Sequence, residues 1–278
     1  YCMKQLGGTM KIGRWVANTP AEEALITYLQ HIKTSQKIHF SVSGDVQKNT
    51  GIAIKKQLKQ LGYSVRYVEP KNTATILHNN LVKLKTDCTV FRGSIFVTEA
   101  IQPIEELSAR DYGRPGTDSK SGMLPPKLAK MLINLCGIKK NHQHAARILD
   151  PFCGSGTLIM EAFLMGYTHL VGRDLSETAI VDTQKNINWV IHSSQKEDAE
   201  STVRVDVGVQ DVQTRSESVE KNSIDAIVTE PFMGKPLHGT ESKMMLEKQA
   251  NELSTLYIAA FQSFVDVLKK NAVVVMII

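Results

Sequence analysis

Ile148-Leu149-Asp150-Pro151-Phe152-Cys153-Gly154-Ser155-Gly156-Thr157 is the stretch whose reading decides the fold. An apolar run ends in an acid, and a loop of small residues follows. Beyond it, Leu158-Ile159-Met160-Glu161-Ala162-Phe163-Leu164-Met165 has the pattern of a helix stopped by Gly166. The order is strand, glycine-rich turn, helix. Gly154 and Gly156 allow a sharp turn and a close approach of backbone to a ligand. The helix start presents N–H groups that have no partner inside the helix.

Such a turn can cradle a dinucleotide, a phosphate or S-adenosylmethionine. The spacing is not GxGxxG, and GxxxxGK(S/T) is absent. The full string DPFCGSGT resembles the first motif of Rossmann-like S-adenosylmethionine-dependent methyltransferases that modify nucleic-acid amino groups. A strand-turn-helix with no ligand is the alternative.

The 278 residues suffice for two domains of ordinary size. Hydrophobic content of 42% and charged content of 22% are those of a soluble globular protein. No run of eighteen apolar residues occurs, so no membrane span is expected. No basic-then-apolar leader is visible. The chain opens on Tyr1, and Ala272 to Ile278 looks like a strand cut short, so both ends are expected to be incomplete. Cys2, Cys88, Cys136 and Cys153 form no CxxC pair, which suggests neither zinc nor a disulfide framework. A reducing cytoplasm is the simplest location. His142 and His144 form an H-x-H without an acid or cysteine at ligand spacing, so no metal is expected.

Charge is uneven. Residues 1–120 hold 17 basic and 10 acidic side chains, and residues 121–278 hold 16 and 18. A basic first half beside a near-neutral second half suggests a polyanion-binding module joined to a catalytic one.

Along the chain, Leu6 to Gly13 looks like a turn. Ala21 to Lys33 has helical spacing and Lys37 to Ser43 alternates as a strand. Asn49 to Leu61 is an amphipathic helix with Ile52, Ile54, Leu58 and Leu61 inside and Lys55, Lys56 and Lys59 outside, stopped by Gly62. Ser64 to Val68 is a strand exposing Arg66. Thr73 to Leu84 is expected to be helical, with strands at Asp87–Phe91 and Ser94–Ala100. This α+β region, residues 1–100 at its widest, is similar to the THUMP domain and its ferredoxin-like neighbour over residues 36–100. That resemblance implies a grip on the acceptor end of tRNA. Lys55, Lys56, Lys59, Arg66, Lys83 and Lys85 are the candidate phosphate contacts.

Residues 101–122 have the composition of a linker. Its Arg110, Tyr112 and Arg114 suit either RNA contact or docking of the two domains. Gly122-Met123-Leu124-Pro125-Pro126-Lys127 opens a helix, with proline in its first turn. The strings RDYGRP and GMLPPKLA closely resemble the segment before the first motif in THUMP-bearing tRNA guanosine 2-amino methyltransferases. In that family it lines the methionine end of the cofactor, which brings in Pro125.

Residues 123–278 are expected to form the Rossmann-like class I methyltransferase domain, an open and mostly parallel sheet. Ala146–Leu149 is its first strand and His169–Arg173 its second. The second ends at Asp174, an acid placed for ribose hydroxyls or for capping the helix Ser176–His192. Thr202–Val209 is the third strand, and Asp211 after it matches the position that meets the adenine amino group. Ile224–Thr229 is the fourth, delivering Glu230-Pro231-Phe232-Met233-Gly234. That string resembles the (D/N/S)-P-P-(Y/F) motif of amino methyltransferases. An exocyclic base amine has its lone pair delocalised into the ring. A side-chain oxygen and a backbone carbonyl held by proline can accept its two hydrogens and aim the lone pair at the sulfonium methyl. An aromatic ring stacks on the extruded base. Here Glu230 stands where Asp or Asn is usual, Phe232 fills the second proline position, and Met233 replaces the aromatic residue. Lys243–Lys270 is read as helical, with Leu253, Ile258, Phe261, Phe264 and Leu268 inward, and Ala272–Ile278 as the fifth strand. The terminal hairpin usual in this fold is not visible.

The resemblance implies transfer of a methyl from S-adenosylmethionine to the 2-amino group of a guanine in tRNA. Catalysis is assigned to Glu230, Pro231 and Phe232. Cofactor binding is assigned to Pro125, Asp150, Pro151, Phe152, Gly154, Gly156, Thr157, Asp174 and Asp211. Adenine-amino methylation of DNA or ribosomal RNA, and an RNA-binding homologue that no longer catalyses, are the alternatives. The sequence leaves a protein partner unspecified.

Overall fold

A computed structural model describes residues 2–32, 37–118, 122–139, 142–143, 145–194, 203–214 and 218–278. Lys33, His144, Thr202 and residues 119–121 of the expected linker lie outside the described residues. The chain divides into two compact units, one built on Thr9–Ile104 and the other on Glu105–Ile278.

The first unit follows a short helix, α1 (Cys2–Gln5), and is an α/β layer. Its strands are β1 (Lys11–Asn18), β2 (Lys37–Gly44), β3 (Ser64–Tyr67), β4 (Asp87–Phe91) and β5 (Ser94–Ile101), in the sheet order β1-β5-β4-β2-β3. β2 lies parallel to β3 and β4, while β5 is antiparallel to β4 and β1. β4 and β5 join through Arg92 and Gly93, both at positive φ, as a tight hairpin requires. Helices α2 (Ala21–His31) and α3 (Thr50–Gln60) bury Leu25, Leu29, Ile54 and Leu58 against Phe40, Val90, Ile95 and Val97.

Three expectations for this unit change. Lys11–Asn18, read in part as a turn, is a strand, an edge strand whose bulges against β5 break the alternation that would have marked it. Ile52 and Leu61 are exposed rather than inside. The buried stripe of α3 runs through Gly51, Ile54 and Leu58, and a Cβ on Gly51 would stand 2.2 Å from the Tyr67 ring. Helix α4 covers only Thr73–His78, because the chain turns through Asn80 and Lys85 at positive φ.

The second unit is a Rossmann-like layer. Its strands are β6 (Arg147–Asp150), β7 (His169–Asp174), β8 (Arg204–Val209), β9 (Ile224–Thr229) and β10 (Leu268–Met276). Their order is β10-β9-β6-β7-β8, and every adjacent pair is parallel. Successive residues point to opposite faces. Ile148, Leu170 and Ala226 pack against helices α6 (Pro126–Leu135), α7 (Thr157–Met165) and α8 (Glu177–Ser193). Leu149, Val171 and Ile227 pack against α9 (Lys243–Val267). Burial on both faces explains why these strands read as apolar runs. The chain leaves β6 toward β7 and β8 and returns on its other side as β9 and β10. The switch point, where ligands bind in open α/β sheets, therefore lies at the C-terminal ends of β6 and β9.

Residues 104–112 of the expected linker form helix α5 (Ile104–Tyr112). On α9, Ile258 and Phe261 face solvent, and the buried row is Ala260, Ser263, Phe264 and Val267. This helix stops at Val267 rather than Lys270. Asn271 takes positive φ, and the Lys269 ammonium is drawn to both oxygens of Asp225 at 2.8 Å.

Candidate active site

Asp150 ends β6, and Thr229 ends β9 beside it. Leu149, one residue before Asp150, pairs with Ile227, two residues before Thr229. The Thr229 hydroxyl donates to Asp150 Oδ1 at 2.7 Å, and the Phe152 N–H donates to the same oxygen at 3.2 Å. Asp150 is 2% exposed. Burial pushes its carboxyl up to about 7, the charges of Asp174 and Glu230 push the same way, and the two hydrogen bonds oppose them. Glu230, the residue after Thr229, thus lies within electrostatic reach of the acid that opens the glycine turn.

The turn is held from several sides. The Cys153 N–H donates to the Arg173 carbonyl, the Gly156 N–H to the Cys153 carbonyl, and the Gly154 N–H to Asp174 Oδ2 at 2.9 Å. Asp174 Oδ1 accepts the Ser176 N–H, and Ser176 itself caps α8 by accepting the Ala179 N–H. Asp174 is therefore not the capping residue; it ties the second strand end to the turn. Both glycines sit at positive φ, but they differ. A Cβ on Gly156 would meet Thr183 at 2.9 Å, whereas one on Gly154 would meet nothing within 4 Å. The open side of the turn is at Gly154. From α8, the Thr183 hydroxyl donates to the Gly154 carbonyl at 2.7 Å, and Asn186 donates to the Ser155 carbonyl at 2.8 Å.

Asn186 also donates to the Gly116 carbonyl and accepts the Gly116 N–H. This fastens the segment before α6 to α8. Arg114, two residues earlier, is 3% exposed and donates to the hydroxyl of Thr157, the first residue of α7. Among the described residues its Nε and Nη2 have no partner, and burial lowers its pKa from the ordinary range. Arg110 and Lys130 both pair with Glu161 of α7, which is fully buried. Arg110 and Arg114, read as RNA or domain-docking contacts, are instead engaged inside the second unit, clamping the strap of residues 104–116 onto α7. Tyr112 alone of the three is exposed, at 80%.

The remaining candidates are placed as follows. Pro125 is the exposed N-cap of α6. Pro151 is buried, and Phe152 packs against the core beneath α9. Asp211 is half-buried after β8 and accepts the Gln213 N–H at 2.9 Å. Pro231 is buried and Phe232 is 55% exposed. Burial raises the Glu230 carboxyl above the ordinary carboxylate range. In the first unit, Lys56, Lys59, Arg66, Lys83 and Lys85 are exposed and Lys55 is half-buried. The structure sets Lys55, Lys56 and Lys59 on α3 and Arg66 on the adjoining edge strand β3. Lys83 and Lys85 come from the turn after α4, where the Lys85 carbonyl accepts the Tyr28 hydroxyl.

Sequence reasoning missed the α8 clamp, the Thr229 hydroxyl and two α9 side chains. Tyr257 donates to the Phe232 carbonyl at 2.9 Å, and Gln249 to the Lys235 carbonyl at 3.2 Å. The one available signal was Thr229, a hydroxyl closing an otherwise apolar strand. Among the described residues no set of three or more His, Cys, Asp or Glu could hold a metal, and no helix is long and apolar enough to cross a membrane.

Comparison with known proteins gives the same frame. Residues 115–278 match the model of the RMKL-like methyltransferase domain. The chain is 33% identical over 120 residues to the tRNA (guanine(10)-N2)-dimethyltransferase of Methanothermobacter thermautotrophicus, covering 41% of this chain and 28% of that protein. It is 29% identical over 169 residues to the enzyme of the same name from Methanocaldococcus jannaschii, covering 55% and 45%. The matches thus span under half the length of those two relatives. Among solved structures, TrmN from Thermus thermophilus superposes over 94% of this chain and 70% of its own, with a TM-score of 0.50 and 16% identity, a likeness of fold.

Proposed function

Because the chain belongs to the RMKL-like methyltransferase domain family, we propose that it transfers a methyl group from S-adenosylmethionine to the 2-amino group of a guanosine in tRNA. The observation that carries this reading is the meeting of Asp150 and Thr229 at the switch point, with Glu230 next in the chain. That puts a glycine turn suited to the donor and an acceptor suited to a base amine at the ends of neighbouring strands. The tRNA relatives favour the substrate, as does the basic first half of the chain.

The residues present fit the donor. A Cβ on Gly154 would enter open space, so its absence leaves room for a ligand against the backbone. Each oxygen of Asp174 accepts one N–H and keeps a lone pair for a hydroxyl. In this reading Asp150, Pro151, Phe152, Gly154, Gly156, Thr157 and Pro125 surround the methionine side, while Asp174 and Asp211 take the ribose and adenine. The bound cofactor supplies a methyl on a positively charged sulfur, a strong electrophile. The protein's part is placement. Glu230 accepts one amine hydrogen, the Pro231 carbonyl accepts the other, and Phe232 stacks on the base. Held this way, the amine's lone pair would be turned out of the ring toward the donor's methyl carbon, and the proton that the nitrogen sheds would pass to Glu230, the carboxylate already accepting one of its hydrogens. Placement of this kind supplies about 7–11 kcal/mol of barrier lowering in well-oriented systems. The first unit, with its THUMP-like sequence, is assigned to gripping tRNA through Lys55, Lys56, Lys59, Arg66, Lys83 and Lys85, and the protein to the cytoplasm.

The test is methyl transfer from labelled donor to total tRNA, followed by nucleoside mass spectrometry. N2-methylated guanosine from the wild type, and loss of it with Glu230→Ala, is expected. Methylated adenine in DNA or ribosomal RNA, or no transfer to any nucleic acid, would overturn the assignment.

A further inference from the structure

The segment that follows Glu230 reaches α9 without forming a helix or strand of its own between residues 230 and 242. A catalytic carbonyl on such a segment needs outside support. The support comes from α9. Tyr257 donates its hydroxyl to the Phe232 carbonyl at 2.9 Å, and Gln249 donates its amide to the Lys235 carbonyl at 3.2 Å.

The geometry shows how the segment lies. Residues 249 and 257 are eight apart on the helix, so they stand about 12 Å apart along its axis. Their acceptors are three residues apart, and three extended residues span about 10 Å. The loop therefore runs along α9 in the opposite direction, held at Phe232 and at Lys235. Gly234 lies between the pins at φ 93°, and a Cβ there would stand 2.3 Å from the Gln249 amide nitrogen. A side chain there would be strained at that φ and would push the Gln249 amide from its place on the loop.

We propose that Tyr257 is the positioning residue of this site. The ring of Pro231 fixes the φ on one side of its carbonyl. The Tyr257 hydroxyl fixes the Phe232 carbonyl one peptide further on. Between two fixed points the Pro231 carbonyl has one direction, and so has the half-exposed Phe232 ring. Gln249 closes the far end of the same brace. Burial holds the Tyr257 phenol above its ordinary range, so it remains a donor throughout the neutral range. Tyr257 acts through the backbone and does not itself touch the base. The inference rests on the reading of Glu230-Pro231-Phe232 as the base-binding segment, and its test separates the two.

Tyr257→Phe keeps the ring and removes only the hydroxyl, so the fold is retained. Gln249→Ala is the second variant. Two measurements are made: hydrogen exchange of amides 232–239, and steady-state methyl transfer to tRNA. The expected result for Tyr257→Phe is at least tenfold faster exchange confined to that loop. It comes with a tenfold or greater fall in kcat, little change in KM for the cofactor, and an unchanged melting temperature. Unchanged exchange overturns the brace. Faster exchange with wild-type kcat overturns the positioning role. If the wild type methylates no nucleic acid, the functional reading fails, and exchange alone then decides whether α9 holds this loop.

Discussion

Replacing Asp150 by Asn gives the sharpest test of how the site is built. The carboxyl is fully buried, and its pKa is raised from 3.8 to about 7. Above about pH 4 the unfolded chain ionises this group, while the folded protein keeps it protonated until about pH 7. The folded state then binds more protons, so stability falls as pH rises through this window and levels off above it. At 1.36 kcal/mol per pH unit the accumulated penalty is about 4 kcal/mol at pH 8. Asn keeps an oxygen to accept from Thr229 and Phe152 and has no charge to desolvate. Between pH 5 and pH 8 the stability of Asp150→Asn relative to wild type should therefore rise by about 3 kcal/mol. For a domain of this size that is a relative gain in Tm of about 5–10 °C. Paired urea or thermal unfolding curves at pH 5, 6, 7 and 8 measure it. Any fixed offset from the substitution cancels, because the comparison is between pH values. A difference that stays flat across the series, or shrinks as pH rises, refutes the claim that Asp150 is buried in its neutral form.

Glu161→Ala removes the buried acid that Arg110 and Lys130 share, taking a charge partner from two buried cations. It should cost about 3–5 kcal/mol in a urea titration, and a loss under 1 kcal/mol would remove the clamp from the account. Gly156→Ala combines left-handed backbone strain of about 1–2 kcal/mol with a contact at 2.9 Å against Thr183. Gly154→Ala has only the backbone strain. The first variant should be the less stable in thermal melts, and equal melting points would count against the packed side of the turn. Phe232→Ala should leave Tm within about a degree, since the ring is 55% exposed. Loss of a base stack, worth about 1–3 kcal/mol, should raise KM for tRNA about fivefold or more; an unchanged KM would mean that the ring does not meet the base.

The methyltransferase half was legible because its constraints are local. Gly154, Gly156 and Gly166 need positive φ, and strands buried on both faces must be apolar along their length, so turn, helix end and sheet all leave marks in the order of residues. Asp174 and Glu230 stand out for the same reason: one closes a strand of the sheet and the other follows directly on one. What escaped was set by partners distant in sequence. Arg110 and Arg114 look like surface cations in a polar stretch, and only Glu161 and Thr157, more than forty residues on, draw them inside. On α9, Ile258 and Phe261 looked like core on hydrophobicity alone. The helix is turned instead to bury Ala260, Ser263 and Phe264 against the sheet. The edge strand β1 was hidden by bulges that break its alternation. Local sequence reports backbone demands well and long-range charge pairing poorly.

The unusual Glu230 can be tested by the same logic of fixed points. Its backbone is anchored on one side, because Thr229 is hydrogen-bonded to Asp150. On the other side Pro231 is buried, and Tyr257 holds the carbonyl of Phe232. The main chain cannot slide to compensate for a change of side-chain length. Glu230→Asp withdraws the carboxylate by one carbon–carbon bond, about 1.5 Å. A 1 Å misplacement of a positioning group can cost about 10²-fold in rate. If the longer side chain is matched to a base set back from the strand end, Glu230→Asp should lower kcat by about that factor and leave donor affinity as it was. The shorter acid is the one usual in the motif this segment resembles. A Glu230→Asp variant as fast as wild type would therefore show that the extra methylene is slack in the side chain, and that the base sits where an aspartate could already reach it.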